Sequence, residues 1–201
     1  CAHVEAKGAP NGVGLVKLMG RDAGFVAAQA SRASGDVDFC LIPEIDFPLA
    51  GFLQKLQTRL RGHRHAVVAV AEGAGRHLIG DGGRKDPSGN VVYNDIGLFL
   101  KDEIEGHFAG QEQAVSVKYF DPSYIIRSVP ANSDDSIFCA NLGRFAAAAG
   151  MAGKTGLLIG RWHGEFTHVP LPAIQGLKKR LQRDQTLWQA VLASTRQPPD
   201  W

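Results

Sequence analysis

The sequence predicts an α/β fold: a doubly wound, mostly parallel sheet with helices on both faces. Three observations predict it. Apolar runs of strand length alternate with stretches of helical spacing over the first third of the chain, the rhythm of a parallel sheet built from βαβ units. The first of these runs passes through a glycine turn directly into a helical stretch, within Val13-Gly-Leu-Val-Lys-Leu-Met-Gly-Arg-Asp-Ala-Gly-Phe25. A length of 201 residues with 44% hydrophobic content suffices to bury a core in one domain or parts of two.

Taken in order, Val13–Met19 reads as a strand, Gly24–Ser34 as a helix, Val37–Ile42 as a strand, Leu49–Gly62 as a helix and His65–Ala71 as a strand. The segment Gly80–Asn90 is dense in turn formers and is expected as an exposed, mobile loop. A helix is expected over Asp95–Phe108, with Ile96, Phe99, Leu100 and Ile104 on one face, followed by a strand over Ala114–Phe120. Ser133-Asp-Asp-Ser136 supplies a cap and an acidic first turn for a helix running to Met151, which Gly153 would end. A strand at Gly156–Gly160, a strand or hairpin around Phe166, and helices at Pro172–Arg180 and Asp184–Thr195 complete the expectation.

Composition excludes several classes. A net charge of +2 with signs mixed along the chain gives neither a nucleic-acid nor a membrane footprint, and no apolar run approaches the ~20 residues that span a bilayer. The first residues do not read as a signal peptide. Cys1, Cys40 and Cys139 show no CxxC spacing, and the odd count, with Cys40 and Cys139 in apolar surroundings, suits reduced, buried thiols of the cytoplasm. The histidines show no metal-ligand spacing with one another or with cysteine, so no protein-held metal is expected in this chain.

Candidate site residues follow from the strand ends. The junction at Met19-Gly20-Arg21 aims backbone N–H groups and a helix N-terminus at one place, which favours negative charge by ~0.3–1 kcal/mol. Arg21 and Lys17 add full positive charge beside it, so the turn reads as a phosphate or carboxylate site or as an ordinary βα turn. Glu72 stands at the carboxyl end of an expected parallel strand, where open sheets place ligands, with Gly73 and Gly75 allowing close approach. It is either a sugar-hydroxyl acceptor or a solvated strand-end glutamate. Tyr124 and Arg127 follow the last strand of this series, past a turn stiffened by Pro122; Arg127 offers a planar fork suited to phosphate, or is a surface arginine. Gly150-Met-Ala-Gly-Lys-Thr-Gly156 ends like a P-loop, but it follows a helix and leads into a strand, the reverse of that motif, and its first glycine falls at Ala148.

Four motifs in order resemble the phosphofructokinase family. Lys17-Leu-Met-Gly-Arg-Asp-Ala-Gly-Phe25, Leu41-Ile-Pro-Glu44 and Val70-Ala-Glu-Gly-Ala-Gly75 are similar to its sugar-phosphate half. Lys118-Tyr-Phe-Asp-Pro-Ser-Tyr-Ile-Ile-Arg127 with Asn132-Ser-Asp-Asp135 resembles its longer, plant-like branch, which holds ATP-dependent 6-phosphofructokinases and pyrophosphate-dependent relatives. The resemblance runs from about Glu5 to Asp200.

The resemblance implies phosphoryl transfer to the 1-hydroxyl of fructose 6-phosphate in glycolysis, with Met19 and Gly20 shaping the sugar slot, Glu72 gripping hydroxyls, and Tyr124 and Arg127 holding the 6-phosphate. Arg21 would add charge to the cleft, and Lys118 would reach the sugar phosphate of a neighbouring subunit, which implies a homo-oligomer. Glu44 matches an effector-pocket position in bacterial relatives and is expected here to be structural. By the same resemblance, residues 1–126 form part of the smaller, sugar-phosphate-binding domain, 127–165 return to the larger domain, and 166–201 form a C-terminal helical tail. The N-terminal donor-binding half is expected to be missing. It would supply the catalytic base, the ATP or pyrophosphate site and the residues holding Mg²⁺ upstream of Cys1, so this chain contains no catalytic residue and is expected to be inactive alone. ATP is favoured as donor because the closing segment Trp188 to Asp200 resembles the ATP-using plant-like enzymes. A non-catalytic sugar-phosphate-binding subunit is the alternative.

Overall fold

The structure is a computed structural model that describes residues 2–80, 83–85, 87, 91–92, 94–111 and 114–201. In chain order its elements are α1 (Ala2–Lys7), β1 (Gly12–Leu18), α2 (Phe25–Ser34), β2 (Phe39–Leu41), α3 (Leu49–His63), β3 (His65–Ala71), α4 (Arg76–Ile79), β4 (Arg84–Lys85), β5 (Val91–Val92), α5 (Ile96–Phe108), β6 (Ser116–Phe120) and α6 (Ser123–Ser128). They continue with α7 (Ser133–Met151), β7 (Leu157–Trp162), β8 (Glu165–Pro170), α8 (Leu171–Ile174) and α9 (Thr186–Thr195). The chain divides into two compact units, residues 1–126 with 180–201, and residues 127–179.

The first unit is built on a parallel sheet in the order β2-β3-β1-β6. Alternation along β1 sorts the core. Val13 and Leu15 face α3 and α5 in a cluster with Phe52, Leu56, Leu60, Val68, Ile96, Leu100 and Ile104. Leu18, with Ala69 and Ala71 of β3, packs on Ala27 and Ala28 of α2 and on Trp188 and Val191 of α9. Helices therefore cover both faces, the arrangement expected from the βαβ rhythm. Gly12 and Gly14 are required by α1: a Cβ there would lie 2.1 Å from the Ala6 carbonyl oxygen and 2.7 Å from that of Ala2.

In the second unit, α7 is capped by Asn132, whose side chain accepts from the Asp135 N–H, one residue before the expected cap. The helix ends in a turn with Gly153 at φ +69, and β7 and β8 form an antiparallel hairpin closed by His163 and Gly164, both at positive φ. A two-residue turn with this sign matches the twist of the flanking strands.

Several expectations need correction. The helix expected over Pro172–Arg180 is a single turn, α8, because Gly176 adopts φ +76 and breaks it. Residues 166–201 are not uniformly helical, since Phe166–Pro170 belongs to β8. Cys40 is buried, and burial pushes its thiol up to about 11, but Cys139 is exposed. Much of the loop expected at 80–90 lies outside the described residues.

Candidate active site

β1 and β3 run in parallel register with Leu18 opposite Ala71, so Met19–Arg21 and Glu72–Gly75 leave the sheet side by side. The Glu72 N–H donates to the Leu18 carbonyl at 2.8 Å, extending the ladder by one bond. Its side chain turns back on the neighbouring turn: Oε1 accepts from the Arg21 N–H at 2.8 Å and from the Gly20 N–H at 3.3 Å. The turn is closed by Ala23 N–H to Gly20 C=O at 2.9 Å, with Gly20 at φ +146 and Arg21 at φ +48. Both glycines here are sterically fixed. A Cβ on Gly20 would sit 2.4 Å from the Ala23 oxygen, and one on Gly73 would sit 1.9 Å from the Arg21 oxygen. Arg76 of α4 pairs with Asp22, adding a charged tie across the same two loops.

The start of α2 carries its own anion. Both Glu44 carboxylate oxygens accept from the Gly24 N–H at 3.0 Å, and Oε1 also accepts from the Leu181 N–H at 2.9 Å. The negative charge favoured at this junction is thus met in part by Glu44 and Glu72 from within the chain. Glu44 is structural, holding the residue-180 segment to the N-terminus of α2. Glu72 keeps Oε2 without a hydrogen bond among the described residues.

Lys17 does not add positive charge to the turn as the sequence suggested. Residues 13, 15 and 17 of β1 and 117, 119 and 121 after it in register share the face that α5 covers. That alternation brings Lys17 Nζ onto Asp95, the N-cap of α5, and to 2.9 Å from Asp121. The Tyr119 hydroxyl donates to Asp95 Oδ1 at 3.1 Å, and Asp95 Oδ1 also accepts from the Gly97 and Leu98 N–H groups. Burial lowers the Lys17 pKa, but the hydrogen bonds to Asp95 and Asp121 outweigh it and hold the ammonium above the ordinary lysine range. Burial raises Asp95 and Asp121, yet the Lys17 bonds bring both below the usual carboxylate range. Tyr119 is pushed up to about 12, chiefly by burial. The cluster was missed in the sequence. The signal was available in the period-2 alternation that continues past both strand ends.

The remaining expected residues are placed as follows. Met19 is half-buried at the end of β1. Lys118 is exposed on β6, an edge strand, opposite Gly14. Tyr124 is 81% exposed on α6, a helix where a turn was expected; the Ile126 N–H donates to the Pro122 carbonyl at 2.9 Å to start it. Arg127 stands three positions on in α6 and begins the second unit. The structure therefore gathers Met19, Gly20, Arg21 and Glu72 at the carboxyl ends of the two central strands of the first unit. In the second unit, the Lys154 N–H donates to the Ala149 carbonyl at 2.9 Å, so the Gly-Lys-Thr sequence is the C-terminal turn of α7.

Three comparisons place this architecture. The phosphofructokinase family profile matches residues 1–149. The chain belongs to the phosphofructokinase family. The ATP-dependent 6-phosphofructokinase of Borreliella burgdorferi is 47% identical over 98% of this chain, which spans 46% of that protein. ATP-dependent 6-phosphofructokinase 7 of Arabidopsis thaliana is 40% identical over 98% of the chain, which spans 42% of it. The chain spans about half the length of these phosphofructokinases. Among solved structures, the pyrophosphate-dependent phosphofructokinase of Marinobacter aquaeolei superposes with a TM-score of 0.68 over 96% of the chain and 49% of its own, at 18% identity, a likeness of fold.

Phosphofructokinases generally depend on Mg²⁺. No three His, Cys, Asp or Glu side chains converge among the described residues, and Asp95 and Asp121 converge on Lys17. Among the described residues, the carboxylates that do converge are taken up by Lys17 and do not fit a divalent cation.

Proposed function

We propose that this chain provides the acceptor side of an ATP-dependent 6-phosphofructokinase, which transfers a phosphoryl group to the 1-hydroxyl of fructose 6-phosphate. The observation that carries the reading is Glu72 Oε1 clamping the Gly20–Arg21 turn while Oε2 is left for a ligand. Phosphoryl transfer relies chiefly on positioning and charge neutralisation, and this side does the positioning. Met19 and Gly20 form the wall of the sugar slot. Glu72 Oε2 accepts from sugar hydroxyls, each such charge-assisted bond contributing ~1.5–3 kcal/mol. Tyr124 donates a neutral hydrogen bond to the 6-phosphate, and Arg127 meets it with a planar fork. Arg21 adds positive charge facing the transferred group, and Lys118 serves the sugar phosphate of a neighbouring subunit in a homo-oligomer.

Residues 1–126 act as the sugar-phosphate domain, 127–165 join the larger domain, and 166–201 form the tail. The proton-accepting base, the donor phosphates and the magnesium ion belong to the part of the relatives that this chain does not span. ATP is the proposed donor because the relatives at 40–47% identity are named ATP-dependent. No helix among the described residues is long and apolar enough to cross a membrane; a cytoplasmic place in glycolysis is proposed from the family alone.

Thermal unfolding with and without fructose 6-phosphate tests the reading. The sugar phosphate is expected to raise the unfolding midpoint of the wild-type chain and not that of Glu72→Ala. A midpoint indifferent to the sugar phosphate in a cooperatively folded wild-type protein would overturn it.

A further inference from the structure

We propose that Lys17 is a positioning residue that couples the sugar-slot turn to the helix carrying Tyr124, an inference that rests on the acceptor-site reading above. Lys17 is one residue before the end of β1, two before Met19. Its ammonium reaches Asp121, the first residue after β6. The same Asp121 carboxylate accepts from the Ser123 N–H at 3.3 Å through Oδ1, the residue that opens α6, while Oδ2 takes Lys17 at 2.9 Å. Tyr124 is the next residue. The third arm is Asp95, whose carboxylate caps α5 through the Gly97 and Leu98 N–H groups and accepts from the Tyr119 hydroxyl.

One ammonium thus ties together the exits of two neighbouring strands and the start of the helix that covers them. The sheet alone does not do this. The β1–β6 ladder ends with Val16 opposite Phe120, so Met19–Arg21 and Ser123–Tyr124 both lie beyond the last paired residues. Past that point the Lys17–Asp121 contact links the two exits. The geometry is also prepared by shape. Gly97 has no side chain because a Cβ there would lie 2.3 Å from the Tyr119 ring, so the ring can lie against α5 and bring its hydroxyl to Asp95. Lys17 sits 15% exposed between carboxylates that are 31% and 34% exposed. Its arms are set by two strand registers and a helix cap rather than by its own flexible stem.

The coupling predicts a specific kinetic signature. Misplacing a substrate contact by a fraction of an ångström weakens sugar-phosphate binding without removing any group that touches the reacting atoms. Asp121→Asn is the cleaner variant. Its amide can present an acceptor to Ser123 or to Lys17 but not to both, and Lys17 keeps Asp95, so the fold is retained. Lys17→Met removes the hub, and Lys17→Arg restores a cation able to bridge two carboxylates.

In the longest native form of the protein, steady-state kinetics would be read beside unfolding midpoints. The KM for fructose 6-phosphate is expected to rise about tenfold in Asp121→Asn and in Lys17→Met, with kcat within about twofold, and to return most of the way in Lys17→Arg. A fall in midpoint with KM unchanged, or a fall in kcat with KM unchanged, would overturn the proposal and leave Lys17 a stability element. Where Lys17→Met does not fold, Asp121→Asn decides alone. Wild-type protein that does not use or bind fructose 6-phosphate would instead sink the acceptor-site reading, and this inference with it.

Discussion

Glu72 divides its carboxylate: one oxygen organises a turn of the protein, and the other accepts no hydrogen bond among the described residues, which is the oxygen proposed to meet the sugar. The division can be tested by Glu72→Gln. The amide oxygen can still accept from Gly20 and Arg21, so the unfolding midpoint should stay close to wild type. The amide nitrogen replaces Oε2, so affinity for fructose 6-phosphate should drop about tenfold, equivalent to ~1.4 kcal/mol. Equal losses of stability and affinity would mean that Glu72 only holds the turn. Gly73→Ala probes the same place by sterics, because its Cβ would lie 1.9 Å from the Arg21 oxygen and neither loop can give way without breaking the Glu72 bonds. A loss of ~2 kcal/mol or more in denaturant unfolding is expected; an unchanged midpoint would show that the two loops do not meet so closely. The Lys17 cluster has a pH signature. Asp95 and Asp121 are lowered in the folded state, so their contribution is present above the ordinary carboxylate range and fades as pH falls through their folded values. Lys17 is raised, so its contribution is present below the ordinary lysine range and fades as pH rises through its folded value. The stability difference between wild type and Lys17→Met should therefore be flat from about pH 5 to about pH 10 and shrink at both ends. A difference that changes across neutrality would contradict this assignment.

At the scale of elements, the edge strand β2 is held by a side chain acting as a strand. The Cys40 N–H donates to Gln197 Oε1 at 2.6 Å, and Gln197 Nε2 donates to the Cys40 carbonyl at 3.1 Å. Trp201 follows onto Phe39, Phe47 and Phe52, with ring centroids 6.1–6.2 Å apart. Gln197→Ala would strand two buried backbone groups, and a cost of about 2–4 kcal/mol is expected, seen as a midpoint lower by ~5–10 °C. A loss under ~0.5 kcal/mol would mean that water reaches Cys40. None of this was legible in Gln197-Pro-Pro-Asp200, because a contact between residues 40 and 197 leaves no local pattern. The elements that were legible are those with strong periodicity. β3 was read to the residue, and α2, α3, α5 and α7 to within one or two. α6 and α8 were not legible because helices of six and four residues carry little periodic signal. The Lys17 cluster went unread for a related reason. A lysine in a strand adjoining a glycine turn reads as a free charge until the partner strand's register is known.

At the scale of the molecule, β1 and β3 are the two central strands of a parallel sheet, and their carboxyl ends, where open α/β sheets generally take ligands, carry the site proposed above. The motif residues were legible because glycines with forced conformations and a strand-end carboxylate stand close together in sequence at each loop. The second unit offers a different kind of surface, with Met151 90%, Trp162 70% and Leu177 73% exposed. The measurement that tests the account most directly is a calorimetric titration of the chain with fructose 6-phosphate, repeated with Glu72→Gln and Arg127→Ala. The account predicts saturable one-site binding to wild type and at least a tenfold loss in each variant. A cooperatively folded wild type that takes up no sugar phosphate, or variants that bind as tightly as wild type, would contradict it.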